Sequence, residues 1–531
     1  MNFTTWKKKD QRLKLNFTQI KSNNKQLVTS YNIVLKILSR VLNDQHNLKR
    51  SESFWETIIG PWLLDFIRVA HCEYLKQFKK KKNTLIFKPY KSFVEFNSLL
   101  INEKFRYNLF KAINSNKNHI KLVNKNQSKP NFNIYSLCSL SFDFLISFIF
   151  KIKNSLKIDK ISYKTDYKIN YLLKLAFFEK ENFNKKVRIK IKNKINSNKT
   201  ITGFTKSLLD ITHWYIPINY LENFKNINKY FEKKSFFSNT FFVTHSHVVD
   251  DVFKIFLANW KANRNNNILN IVQHGGGYQI SQFHLYSMLE SRLGHNFLGW
   301  GTYNNFYKKK YIPFFINKET HYIDIDKSNE QNKILIIAKD LMRFDFGTTE
   351  VHPNIYIKIY KDLIDWLEKE KSNQFNLRLY GNQKMLTSKQ SHLSFYYKII
   401  RRIIKKKYLL SSDIPIKEIL NDYGLILHTY FGTAFYETLS INFPSIIYID
   451  KKVQKIYTKH FLRSIKFAEN KIIFYDKKKL KEFLKSNCFR RQWYLKKNQK
   501  IVKKLQTKLC RISDKKSYLL SIEEIIKKLQ R

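Results

Sequence analysis

Residues 270–280 read NIVQHGGGYQI, and this stretch decides the fold. A short apolar strand, 269–272 with Asn270 inside it, runs into Gln273, His274 and the triplet Gly275, Gly276, Gly277. The chain has only 12 Gly in 531 residues, so three side by side are not compositional drift. Glycine permits positive φ and lets another group approach the backbone closely. A strand end followed by such a loop is where open α/β sheets bind ligands. Backbone N–H groups there can cradle a phosphate, and His274 adds a donor or a cation. The competing reading is a tight turn with an incidental His.

Working outward, strand and helix patterns alternate from residue 238. Strands are predicted at 240–244, 269–272, 296–300, 333–338, 376–380, 424–428, 445–449 and 472–475. Helices are predicted at 248–262, 288–293, 355–368, 397–407 and 433–441. Apolar strands alternating with helices indicate parallel sheets. The pattern falls into two sets, with the loop 303–326 between them as a hinge candidate. The predicted class is α/β with two Rossmann-like domains. Their cores span 238–325 and 326–480, after a helical N-terminal region 1–237 and before basic helices at 481–531.

Upstream, 55–74 reads as a helix broken at Gly60-Pro61, because Pro61 suits a helix start. Trp62, Phe66 and Val69 share one face there and are core candidates. The low-complexity stretch 158–199 is predicted to be a poorly packed surface. Residues 134–150, IYSLCSLSFDFLISFIF, are the one membrane candidate. Asp143 in their middle favours a buried helix instead.

Lys and Arg number 98 against 41 Asp and Glu, for a net charge of +57. Nucleic-acid binding is the obvious reading, but no specific nucleic-acid partner is expected. The chain is full of Lys, Asn, Ile, Phe and Tyr, residues with A/T-rich codons, so base composition competes as the cause. Lys also greatly exceeds Arg, whereas bidentate phosphate and base recognition favours Arg. Such a charge implies a generic attraction to anions, a membrane surface among them. Cys72, Cys138, Cys488 and Cys510 are far apart and form no zinc or disulfide framework, which points to a reducing compartment.

The second informative stretch is 428–444, HTYFGTAFYETLSINFP. A strand ends at His428, a loop with Gly432 comes next, and a helix begins near Thr433. Thr433 fits the N-cap, and the helix N-terminus can bind an anion. Glu437 lies one turn on and could accept from ribose hydroxyls. A capped helix with a solvent-facing Glu is the plain alternative. Lys339 and Arg343 lie just after the 333–338 strand and could contact donor phosphate, or be ordinary surface charge. The pair His245 and His247 lacks a third ligand for a metal.

Taken in order, FWETIIGPWL at 54–63, QHGGGY, Glu290, the LGWG ending at Gly301 and HTYFGTAFYETLSINFP resemble a family of transferases found with surface-carbohydrate biosynthesis. That family is related to the glycosyltransferases with two Rossmann domains, the GT-B fold. The resemblance implies a nucleotide-sugar donor bound in the cleft between the domains, with His274 and Gly275–Gly277 facing it from the first domain. Nucleotide contacts would come mainly from the second domain, through Lys339, Arg343, His428, Thr433 and Glu437. This chain departs from the family pattern at Gln279, where Gly is expected after the tyrosine. It departs again at His295, where an acidic residue is expected, and at Gly381-Asn382, where Pro and an acidic residue are expected.

The resulting expectation is a cytoplasmic transferase, peripheral at the inner face of the membrane. It would move a sugar, with a CMP-linked acidic sugar as the leading guess, to a polysaccharide or glycolipid acceptor. Transfer is expected to be inverting and metal-independent, with no cofactor beyond the nucleotide-sugar substrate. Glu290 is the expected base, and His274 is the alternative base or the stabiliser of the leaving phosphate. A polyol-phosphate transferase on the same fold, a basic nucleic-acid-binding protein and a non-catalytic relative are the alternatives.

Overall fold

The computed structural model describes residues 17–76, 83–87, 89–100, 102–114, 118–122, 182–196, 201–232, 240–263, 266–304, 310–314, 316, 333–341, 353–370, 374–381, 386, 393–486 and 493–510. The chain is mixed α/β with parallel sheets and separates into two compact units. One is built chiefly from Lys21–Val272 with Met288–His295, the other from Gln273–Ser287 with Asn296–Arg531.

The first unit is largely helical. It contains α1 (Phe17–His46), α2 (Glu52–Leu75), the strand β1 (Asn83–Phe87), α3 (Phe93–Leu100), α4 (Glu103–Ile113) and β2 (Asn118–Leu122). Next come α5 (Lys185–Asn196), α6 (Gly203–Tyr215), α7 (Phe224–Glu232), β3 (Thr240–Val243), α8 (Asp251–Asn263) and β4 (Ile268–Val272). β1 pairs with β2 and β3 with β4, both in parallel.

Contrary to the expected break, α2 runs unbroken through Pro61. Proline removes one helical hydrogen bond and crowds the carbonyl four residues back. Burial outweighs that cost, since the helix is covered along nearly its whole length, with Trp55, Ile59, Trp62 and Phe66 all at 0% exposure. Gly60 has a packing reason: a Cβ there would lie 2.9 Å from the Tyr31 hydroxyl and 3.0 Å from Leu289. The Tyr31 hydroxyl donates to Glu56, which also pairs with Arg292 at 3.3 Å. The WETIIGPW motif is thus explained by packing within this unit.

The low-complexity stretch also differs from expectation where it is described. Its residues 185–196 form α5, with Ile191 and Ile195 buried. Arg188, 1% exposed, pairs with Glu222 at 2.7 Å and donates to the carbonyls of His213, Trp214 and Ile216. The 134–150 membrane candidate lies outside the described residues. Among those described, no helix is long and apolar enough to cross a membrane.

The second unit holds β5 (Asn296–Trp300) paired in parallel with β6 (Tyr311–Phe314). The stretch expected to be only loop therefore contains a strand with Pro313 in it. β6 is a sheet edge, where a missing N–H is tolerated. Gly299 makes room for the Tyr311 ring, since a Cβ there would come 2.1 Å from it and push it aside.

The main sheet of this unit is built from β7 (Lys333–Ile337), β8 (Gln374–Arg378), β9 (Leu409–Leu410), β10 (Leu425–His428), β11 (Ser445–Tyr448) and β12 (Ile473–Phe474). Its helices are α10 (Pro353–Glu370), α11 (Leu393–Ile403), α12 (Thr433–Ser440), α13 (Lys477–Lys485) and α14 (Gln499–Leu509), while α9 (Leu285–Leu293) has only its first three residues in this unit and the rest in the first. Every strand pairs in parallel, in the order β12-β11-β10-β7-β8-β9. Numbered from β7 as first strand, this is 3-2-1-4-5-6 read from the β9 edge, the doubly wound Rossmann order. The strands read as continuous apolar runs because helices cover both faces. β10 is buried at all four positions. α10 starts with proline at its first position, which suits its lack of N–H. It buries Tyr356, Tyr360, Leu363 and Leu367 along one stripe.

Candidate functional site

In a 3-2-1-4-5-6 sheet the chain reverses direction between the first and fourth strands, and ligands bind outside their carboxyl ends. Here those strands are β7 and β10. β7 is followed by Ala338, Lys339 and Asp340, and β10 ends at His428 before the loop Thr429–Gly432.

Two bonds fix this crevice. The Thr429 hydroxyl donates to the Ile337 carbonyl at 2.9 Å and ties the two strand ends together. The Lys339 N–H donates to the Tyr360 hydroxyl at 2.8 Å, anchoring the β7 end to α10. Burial pushes the Tyr360 phenol well above its usual range, so it stays a neutral partner. The Lys339 Nζ then lies 5.3 Å from the centre of the Tyr430 ring and 6.0 Å from that of Tyr356. The Tyr430 ring also lies across Gly432, where a Cβ would sit 2.1 Å from it.

The glycine loop reaches this same place within the second unit. The Gly276 N–H donates to the Thr433 Oγ1 at 2.9 Å. A Cβ on Gly276 would lie 2.5 Å from the Thr433 nitrogen, so this glycine is required by backbone packed on backbone. Gly277 is required by its φ of 91°. Gly275 has neither constraint: its nearest neighbour would be the Thr433 Oγ1 at an ordinary 3.6 Å. Gln273 braces the loop by donating to the Gly275 carbonyl and accepting from the Trp300 N–H. His274 is half-buried with the Tyr278 hydroxyl 3.2 Å from Nδ1.

Thr433 corrects one expectation. The N-cap of α12 is Gly432, with extended backbone, and no side chain caps the helix. Thr433 is the first helical residue, and its hydroxyl is taken by Gly276. Glycine at the cap leaves the positive end of the helix dipole without a side-chain acceptor.

The sequence profile of the LIC12162 family transferases matches residues 13–523, nearly the whole chain. The chain belongs to this family. Among solved structures, one titled "OtsA apo structure" is similar at 11% identity. It covers 56% of this chain and 77% of its own, with a TM-score of 0.35. No curated protein matches.

Within this transferase the expected site residues separate into two groups. Lys339, Gly276 and Thr433 meet at the crevice, while Glu437 is half-buried one turn into α12 and acts electrostatically on Arg378 of β8. Arg343 lies outside the described residues. His428 departs from its expected ligand contact. It is 0% exposed, its Nε2 is 3.0 Å from the Thr438 hydroxyl, and burial lowers its pKa to about 3. Thr438 also donates to the Phe435 carbonyl, so its oxygen accepts from His428 Nε2–H. His428 therefore fastens α12 to β10. Glu290 departs likewise. It is 1% exposed in the first unit, with its Oε1 3.2 Å from His247 Nε2. A general base must reach the proton it removes, and a carboxylate so enclosed faces protein.

At two departures from the family pattern the backbone is left-handed: Gln279 sits at φ 63°, where the expected glycine would be the easier residue, and Gly381 at φ 98°, which the expected proline could not adopt. His295 accepts from the Leu269 N–H at 3.0 Å and ties the chain to β4. Tyr430 and Tyr360 were missed in the sequence. The signal for Tyr430 is its place between a strand end and a glycine, where only a ring packed over the glycine explains both.

Proposed function

We propose that this transferase is a glycosyltransferase that moves a sugar from a nucleotide-activated donor to a polysaccharide or glycolipid acceptor. The observation that carries the reading is the crevice between β7 and β10. There an uncapped helix N-terminus, Lys339 and a glycine loop converge, which suits a diphosphate or monophosphate leaving group. A CMP-linked acidic sugar is the donor we favour, and a GT-B-like pair of Rossmann lobes is the architecture. The enzyme would work in the cytoplasm.

In the proposed inverting step, His274 takes the acceptor hydroxyl proton as that oxygen attacks the anomeric carbon. The bond from that carbon to the leaving phosphate breaks, and the charge released goes to Lys339 and the start of α12. No metal is needed in this scheme. Glu437 is placed to accept from the ribose.

A nucleotide panel tests the reading. A saturating ligand at about 100 times its Kd stabilises a protein by about 2.7 kcal/mol. Cytidine nucleotides should raise the Tm most, and a flat response to every nucleotide rejects the donor site. His274→Ala should then lower turnover by about 10²–10⁴-fold while nucleotide Kd holds.

A further inference from the structure

The outer face of α14 carries a ridge of lysines with no counter-charge. Residues 493–509 include Lys496, Lys497, Lys500, Lys503, Lys504 and Lys508 and not one acidic residue or arginine. The helix buries Val502, Leu505, Gln506 and Leu509 on its inner side. That leaves Lys500, Lys503 and Lys504 exposed on the other, with Lys496 and Lys497 exposed in the turn Trp493–Lys497 just before the helix. Among the described residues none of these five forms an ion pair. The contrast is with α13 beside it in sequence, where Lys477 pairs with Asp362 and Lys485 with Glu370. Half-buried Trp493 and Phe467 flank the ridge, and the Lys504 Nζ lies 4.4 Å from the Phe467 ring centre.

We propose that this ridge docks the protein on an anionic lipid surface. A row of ammonium groups matches a plane of headgroups, where each lysine contributes about 1 kcal/mol. Nucleic acid fits less well. Its phosphates are read chiefly by arginine forks, and single strands need aromatic faces to stack on. This surface holds no arginine, and its rings are packed against the core.

Because the whole chain is basic, the test compares equal charge changes at two sets of lysines. Full-length protein is sedimented with vesicles of phosphatidylcholine alone and of phosphatidylcholine with phosphatidylserine. One variant carries Lys496→Glu, Lys500→Glu, Lys503→Glu and Lys504→Glu. The control carries Lys398→Glu, Lys406→Glu, Lys407→Glu and Lys451→Glu, four exposed lysines elsewhere in the second unit. Wild type should bind only the serine-containing vesicles. The ridge variant should bind at least about 100-fold more weakly, from about 1 kcal/mol per lysine, with the control losing less than a tenth as much. Unchanged Tm values show that both variants fold. Equal losses from the two sets overturn the proposal. So does wild type that ignores phosphatidylserine, or that binds single-stranded DNA more tightly at physiological salt through the same four lysines.

Discussion

The first unit encloses several of its ion pairs, and the second keeps the charges of its sheet end within reach. Arg106 and Lys76 meet Glu73 at 2.6 and 2.9 Å, Arg188 meets Glu222, and Lys254 meets Asp251 at 3.0 Å, with every partner nearly enclosed. At the β7–β10 crevice, Lys339, Thr433 and Glu437 are all half-exposed. A charged side chain among apolar neighbours looks the same in both places when read from sequence. The difference is how far the surrounding protein encloses it. Enclosed pairs hold the fold, while accessible groups can meet a ligand.

The sharpest way to break this contrast is to exchange the effects. Arg188→Met should destabilise by about 3–5 kcal/mol, the cost of stranding a buried partner, and leave nucleotide affinity intact. Denaturant unfolding and calorimetry on the same sample separate the two. A stable variant would mean that the enclosed pairs are incidental.

Acid should reach the first unit sooner. Burial lowers His46 and His71 to about 4 and His213 to about 3, all in the first unit, while the second holds His428. The unfolded chain takes up these protons near pH 6.5. The stability the neutral rings supply is therefore complete above about pH 6.5 and lost as pH falls toward the folded values. Each ring accounts for up to about 1.4 kcal/mol per pH unit in that window. Asp250, raised to about 6 by burial, works in the opposite sense over part of it. Hydrogen exchange corrected for intrinsic rate should show the first unit losing protection first between pH 7 and pH 5. Simultaneous loss would remove the distinction.

The glycine triplet offers a test inside the crevice. Gly276→Ala should destabilise by about 1–3 kcal/mol, because its methyl must displace backbone. Gly275→Ala has room and should leave the Tm nearly unchanged. If Gly275→Ala nonetheless weakens nucleotide binding, that position serves the ligand; if both variants behave alike, the packing account of Gly276 is wrong.

The last test sharpens the accessible side. Lys339→Ala should weaken nucleotide binding by about 1.5–3 kcal/mol, the range for a charged hydrogen bond, with little change in Tm. Calorimetry giving an unchanged Kd would remove Lys339 from the site.

Much of the second unit was legible because its strands are short apolar runs and its helices have one clear stripe. β7, β8, β10, β11 and β12 were each predicted within two residues of their observed ends. β9 was missed because two residues carry no period, and β6 because Pro313 reads as a breaker unless the strand is known to be an edge. Pro61 misled for a related reason: helix-breaking is a local rule, and α2 is held by burial from all sides. The strand–loop–helix pattern pointed to Gly276, Thr433 and Lys339, which the structure brings to the carboxyl ends of β7 and β10. Burial was not legible, so His428 and Glu290 looked like ligands when their partners are protein.

The bond from Gly276 to Thr433 joins positions 157 residues apart. At a synthesis rate of roughly 5–20 residues per second, Thr433 leaves the ribosome about 8–30 s after the glycine loop. Through that interval the loop has no helix start to pack against. This contact is therefore completed late in synthesis, and a chain cut short before residue 433 would carry the glycine triplet without the partner that Gly276 packs against.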